Sequence, residues 1–250
     1  MRSPLFHTAP HAARSCAYDR STLRHLPQAH AQKDHKAYSM RKAELYRRVT
    51  EYFQQAMPHV QTELHYQDPF SLLVAVILSA QCTDKRVNTV TPALLHDYPN
   101  AEAMSLATPE VIYEYIKSVS YPNNKARHLV GMATMLQREY GGEVPSTMEQ
   151  LTRLPGVGRK TANVMLSVIF HQAAMAVDTH VFRVSHRIGL VPPSCTTPLS
   201  VERMLTRHFA PEVLHDAHHW LILHGRYVCT AQKPKCQLCG LHDICQGKLV

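Results

Sequence analysis

The chain has no apolar run long enough to cross a bilayer. The longest, Leu72 to Leu78, is far short of the about 20 residues a spanning helix needs. No apolar core of a secretory signal stands near its start, and no segment alternates apolar and polar residues as a half-buried strand must. The expected class is therefore all-α. A large excess of one charge is missing as well. The net charge of +8 and the pI of about 9.2 favour a polyanionic partner. Residues 1–39 carry six Lys/Arg against two Asp/Glu, which is +4, and residues 40–250 carry 21 against 17, the other +4. The body of the protein is only mildly basic, so a nucleic-acid face has to come from where the charges sit. Cysteines spread at regular intervals are also lacking. There are seven, an odd number, and four fall between 229 and 245. That clustering argues against a secreted disulfide scaffold and for metal ligation in a reducing, cytoplasmic compartment. Cys16, Cys82 and Cys195 read as unpaired thiols without a role.

Residues 1–39 have five histidines and no apolar period, and read as disordered. Their Arg and Ser content is compatible with a transit peptide for organelle import, but no amphipathic helix accompanies it. The favoured reading makes Met40 the true start and the tail an upstream extension. Beyond it, a chain of this size with 45% apolar residues can form one sizeable domain or two small ones. Arg41 to Met57 is predicted as an amphipathic helix with Leu45, Val49, Tyr52 and Phe53 on one face. Pro69 opens Phe70 to Gln81, apolar nearly all round and hence a central buried helix. Lys85 to Tyr98 forms the next. Thr108-Pro109 and Thr197-Pro198 are N-caps followed by proline at the first helical position. A loop at 119–124 precedes a long helix from Lys125 to Tyr140, closed by Gly141-Gly142. Pro211 opens the last long helix, to about Tyr227.

The most informative stretch is Leu154-Pro155-Gly156-Val157-Gly158-Arg159-Lys160-Thr161-Ala162. Ser146-Thr147-Met148-Glu149 has capping-box spacing and starts a short helix that Pro155 ends. A second, apolar helix follows from Asn163 to Phe170. Between them Gly156 and Gly158 allow positive φ and let the backbone approach a ligand. The amides at the start of the second helix make a phosphate site, to which Arg159 and Lys160 add charge. Lysine is a nucleophile only when neutral. The helix N-terminus, partial burial and the like charge of Arg159 all push Lys160 that way. Downstream, Asp178 begins another helix shortly after the lysine helix ends. A carboxylate there can cap the helix, and it can also take a proton or stabilise developing positive charge. His180, two residues on, reads as structural. His215, His218 and His219 read as surface or domain-contact residues, because a third metal ligand is missing from their helix face.

Near the C-terminus Cys229, Cys236, Cys239 and Cys245 form C-x6-C-x2-C-x5-C. Spacing alone leaves a zinc site or an iron–sulfur cluster open. Taken in order, the Gly-x-Gly-Arg-Lys turn, the Val-Asp-Thr-His segment and this cysteine pattern resemble the endonuclease III family of helix-hairpin-helix DNA glycosylases. The resemblance covers Met40 to Val250. It implies a [4Fe–4S] cluster on the four cysteines. It also implies a helical domain over 62–174, a cluster-bearing domain from 40–61 plus 175–250, and a cleft with Lys160 on one wall and Asp178 on the other. The implied activity is base excision in duplex DNA containing damaged bases or abasic sites. Oxidised pyrimidines are removed through a lysine Schiff base, and the strand is cut by β-elimination, by a monomer with no membrane partner. Gln81 matches the residue that fills the gap left by an extruded base. The matching loop departs from the family pattern, with Ser120-Tyr121-Pro122 where bacterial relatives have Gly and an apolar residue. Tyr121, placed before a proline, is expected to be extended and to stand on a stiff loop. Lys233 and Lys235 suit phosphates. Two other readings stay open: a monofunctional adenine-mismatch glycosylase, and a non-catalytic DNA-binding module with structural zinc.

Overall fold

The computed structural model describes residues 42–247; the tail and the proposed start at Met40 lie outside the described residues. Among the described residues there are eleven α-helices and no strand. In chain order they are α1 (Lys42–Ala56), α2 (Pro69–Ser79), α3 (Asp84–Asp97), α4 (Ala101–Ser105), α5 (Pro109–Ile116) and α6 (Pro122–Tyr140). There follow α7 (Met148–Arg153), α8 (Arg159–Val168), α9 (Thr179–Ile188), α10 (Pro198–His208) and α11 (Leu214–Tyr227). Single 3-10 turns lie at Pro211–Val213 and Cys236–Leu238.

Local signals in the sequence account for most helix ends. Asp68 caps α2 by accepting from the Ser71 amide, while the Ser71 hydroxyl takes the Asp68 amide, and Pro69 sits where its missing N–H costs nothing. Thr197 caps α10 with the same reciprocal pair, formed with Ser200, while Thr108 caps α5 by accepting from the Val111 amide alone; each is followed by proline. Gly141, at φ +61°, ends α6 in the left-handed conformation. The cap of α7 is Thr147 and not Ser146, one residue later than the capping-box spacing suggests, because the Thr147 hydroxyl reaches the Gln150 amide. The sequence reading passed over α4, a single turn capped by Asn100, because five residues carry too little period to register.

The apolar side chains gather into two clusters. The first runs from Leu64 to Ala174 and is built around α2, of which every residue from Phe70 to Leu78 is buried. The second combines Leu45 to Val60 with residues from Met175 to Ile244. In it Phe53 of α1 stacks on Trp220 of α11 with ring centroids 5.7 Å apart, and the Trp220 indole donates to the Met57 carbonyl at 2.9 Å. That pairing joins segments 163 residues apart and fixes α1 against α11. Phe53 is fully buried. Phe53→Ala is expected to cost about 3–5 kcal/mol through lost burial and the cavity left behind. A thermal melt should show it as a fall of roughly 6–20 °C for a chain of this size.

Candidate active site and cysteine centre

The hairpin between α7 and α8 is made by one strained residue and one open one. Leu154 leaves the helix in an extended conformation before Pro155. Gly156 then turns at φ +79°, and a Cβ there would lie 2.9 Å from the His128 Cβ, so both conformation and space require glycine. Gly158 differs from the sequence expectation. It is the N-cap of α8 with φ −90°, a value any residue adopts, and a Cβ on it would meet nothing within 4 Å. Its open side is the side from which a ligand could approach.

Lys160 is the second residue of α8 and is exposed. Two of the three effects expected to act on it are altered. Burial is absent, and the Arg159 charge is paired: its Nε donates to Glu202 Oε2 at 3.0 Å and Oε1 at 3.1 Å, and one of its terminal nitrogens donates to Oε1 at 2.6 Å. Glu202 is a buried residue of α10, so this fork ties the start of α8 to the second apolar cluster. Among the described residues no side chain caps α8, which leaves its first amides open to a ligand.

Asp178 is half-buried and caps α9, accepting from the Val181 amide at 2.8 Å. The segment that leads into it is held from both sides. The Asn163 amide group, one turn along α8 from Lys160, donates to the Met175 carbonyl at 3.1 Å. From α11, His218 approaches the Ala176 backbone. Burial pushes the His218 imidazole well below its ordinary value, and the charges of His219 and Lys160 push the same way. His218 Nδ1 has no hydrogen-bond partner among the described residues. His218 and His219 are buried contacts between helices and not surface residues; His215 reaches the Ser167 hydroxyl of α8 at 3.1 Å. His180 packs against α11, where a Cβ on Gly225 would lie 2.9 Å from its own, and it contacts Arg183 at 3.2 Å.

At the other predicted contact positions, Gln81 and Tyr121 are both exposed, and both are left-handed, at φ +54° and +55°. Tyr121 is not extended as its place before proline suggested. It is the N-cap of α6, which starts at Pro122, three residues earlier than expected, because the proline serves as the first residue of the helix. Lys233 and Lys235 are exposed on the loop between Cys229 and Cys236.

The four cysteines line one cavity together with Arg187, His224 and Leu241. Burial pushes the Cys239 thiol up to about 12 and raises Cys245 as well, so a metal must supply the positive charge that makes them thiolates. Donors stand ready for such sulfurs: Arg187 is 3.5 Å from Cys229 Sγ and His224 Nε2 is 3.6 Å from Cys239 Sγ. No group of three or more His, Cys, Asp or Glu among the described residues converges as a single ion requires. Four sulfurs lining one cavity can hold a cluster, in which each cysteine holds its own iron. Cys82 and Cys195 are free thiols, while Cys16 lies outside the described residues.

Three outcomes follow from this geometry. Gly156→Ala should cost about 1–3 kcal/mol in a chemical melt because of its conformation and the His128 contact; Gly158→Ala should cost under about 1 kcal/mol but weaken DNA binding in a titration. The purified protein should be brown and contain about four irons per chain by elemental analysis, and Cys236→Ser should bleach it. His218 and His219 are held below the ordinary histidine value, His219 to about 4, chiefly by burial. The unfolded chain therefore takes up the protons first. Their contribution is complete above about pH 6.5 and is lost as the pH falls toward about 4. Urea midpoints measured over that window should fall less steeply for His219→Gln than for the parent.

Comparison with known proteins agrees with what the residues present. Residues 74–211 match the HhH-GPD superfamily of base excision DNA repair proteins, and residues 229–245 match the iron-sulfur binding domain of endonuclease III. The cofactor of the four cysteines is a [4Fe–4S] cluster. Endonuclease III of Rickettsia conorii is 45% identical over 203 residues, 81% of this chain and 96% of the relative. That of Escherichia coli is 44% identical over 191 residues, 76% and 90% respectively. A solved endonuclease III–DNA covalent intermediate, 40% identical, superimposes with a TM-score of 0.78 over 83% of this chain and 97% of its own. A hairpin ending in Gly-Arg-Lys, an aspartate-capped helix and a four-cysteine iron–sulfur loop thus stand in a chain that belongs to the endonuclease III family of base-excision DNA glycosylases.

Proposed function

We propose that this glycosylase is bifunctional: it removes oxidised pyrimidines from duplex DNA and cuts the resulting abasic site as a lyase. The observation that carries the reading is an exposed lysine at the start of α8 together with the aspartate that caps α9. One turn along α8 from Lys160, Asn163 holds the Met175 carbonyl, three residues before Asp178. In this reading the two apolar clusters are two domains, over 62–174 and over 40–61 plus 175–250. The cleft between them holds the lysine on one wall and the aspartate on the other.

Lys160, once neutral, attacks C1′ of the damaged nucleotide and expels the base, and ring opening leaves an imine between Nζ and the sugar. The imine acidifies the C2′ proton, and its removal breaks the strand on the 3′ side. Asp178 accepts the lysine proton and stabilises the positive charge that builds on the sugar as the base departs. The relative whose covalent intermediate with DNA was trapped supports such a step here. Gly156 and Gly158 bring the start of α8 to the phosphates, and Arg159 adds charge through the donor that Glu202 leaves free. Lys233 and Lys235 track the backbone beside the cluster loop, while Gln81 and Tyr121 fill the space left by the extruded base. The protein acts as a monomer. The adenine-mismatch reading needs an acid in the buried helix over 70–81, and none is there. The zinc-module reading leaves an exposed lysine at the hairpin without a task.

Two variants test the roles. Lys160→Ala should abolish strand cutting at an abasic site in a gel assay, while Lys160→Gln keeps the affinity for abasic duplex. Cutting at the parent rate by the alanine variant would overturn the mechanism. Asp178→Asn should slow base release by about a hundredfold to a thousandfold, equivalent to a few kcal/mol of lost charge stabilisation, with the melting temperature nearly unchanged because Asn also caps helices. A large fall in melting temperature would make the residue a cap first.

A further inference from the structure

The last turn of α2 is assembled by side chains that come from the start of α6. A helix leaves its final carbonyls without intrahelical partners. Here the ammonium of Lys125 donates to the Leu78 carbonyl at 2.8 Å and to the Ala80 carbonyl at 2.7 Å. The Ser120 hydroxyl donates to the Gln81 carbonyl at 2.7 Å. The Cys82 amide takes the Ser79 carbonyl at 3.0 Å. Four consecutive carbonyls, 78 to 81, are thus occupied, and three of the bonds reach across about 40 residues of sequence. Lys125 is only 5% exposed, an unusual place for a lysine, and its charge stands at the negative end of the α2 dipole.

The product of these bonds is a pair of residues in a conformation they would not choose. Gln81 and Tyr121 both lie at φ near +55°, a strained conformation for any residue with a Cβ, held only where the surroundings over-determine it. Both residues are exposed, Tyr121 to 62%. Strain held in place by buried bonds, at two exposed side chains tied to each other through Ser120, indicates a geometry kept for contact with something outside the chain.

We propose that Lys125 is a positioning residue for base extrusion. From α6 it fixes the end of α2 so that Gln81 and Tyr121 stand together and enter the DNA as one unit. The proposal rests on the glycosylase reading above and adds the residue that makes the two gap-filling side chains act together. Lys125 itself touches no DNA. Burial pushes its ammonium below the ordinary lysine value, with the neighbouring Cys82 thiol opposing, as befits a cation retained for its two carbonyls.

The test uses full-length protein in the cluster-loaded form and a readout that needs no chemistry. A duplex carries a tetrahydrofuran abasic analogue opposite 2-aminopurine, whose fluorescence rises when a side chain displaces it from the stack. Lys125→Met keeps the aliphatic stem and removes the two bonds. It should lose most of the fluorescence rise and at least about tenfold in base release from a paired lesion. Borohydride trapping on a single-stranded abasic oligonucleotide, where no gap has to be filled, should stay within about twofold. In a Gln81→Ala/Tyr121→Ala background, Lys125→Met should add nothing further, since its only route of action is gone. Should Lys125→Met fail to fold, as judged by cluster absorbance, Ser120→Ala removes one bond of the same set and must give the same pattern in smaller measure. Equal losses on the duplex and the single strand, or an undiminished effect in the double-variant background, overturn the proposal and leave Lys125 a plain helix cap. Parent protein that displaces 2-aminopurine yet traps no abasic oligonucleotide defeats the lyase reading and not this one.

Discussion

Ten residues, 169–178, carry the chain from the end of α8 to the start of α9, and in that span it passes from the first apolar cluster into the second. The geometry of the candidate site depends on how that crossing is held. It has no regular structure to supply its hydrogen bonds, so they come from the neighbours. Asn163 takes the Met175 carbonyl, His218 stands against the Ala176 backbone, and Gln172 reaches back to the Ser146 carbonyl at 2.8 Å. Because Lys160 lies one turn before Asn163 and Asp178 ends the crossing, the same bonds set the separation of the two groups proposed to do chemistry. A loop with fewer ties would let that separation drift, and small displacements at a reacting centre are costly in rate.

Much of the charge is spent on holding helices together. Arg159 and Glu202 join α8 to α10, and Arg226 of α11 is paired with Glu63 and, at 2.9 Å, with Asp84 at the start of α3. Tyr227 reaches Glu63 beside it at 3.1 Å. These are forks and networks in which at least Glu202, Arg226 and Asp84 are buried or half-buried, the kind that specify one arrangement even where their net contribution to stability is small. This explains how a chain of net charge +8 can belong to a DNA-repair family with a body that is only mildly basic. Lys160, Lys233 and Lys235, which have no ion pair among the described residues, stand exposed where a phosphate backbone can use them.

What could be read without coordinates was local. Thr108-Pro109, Thr197-Pro198, Asp178 and Gly141 each announce a helix end through groups within four residues, and the structure places an end at each. The buried character of α2 was legible because nothing polar interrupts Leu72 to Leu78. The cysteine spacing, read with the hairpin, was specific enough to name a family. What was not legible depends on partners far along the chain. Arg159 looked like a free cation because Glu202 is 43 residues away. Lys125 reads only as the first residue of a helix, yet its partners are 45 and 47 residues back. Tyr121 was assigned an extended backbone from the residue that follows it, whereas the bond from Ser120 to Gln81 and the helix opening at Pro122 favour the left-handed one. Both Gly156 and Gly158 allow a positive φ, but only coordinates show that at this turn Gly156 alone adopts it.

The central claim is that one lysine, at the start of α8, forms the covalent bond to the sugar. The direct measurement is mass-spectrometric mapping of the adduct formed when the protein is reduced with borohydride on an abasic duplex, digested and sequenced. The account expects the sugar remnant on Lys160, in a peptide from the hairpin. An adduct on Lys125 or any other lysine, or none while the strand is still cut, would contradict it.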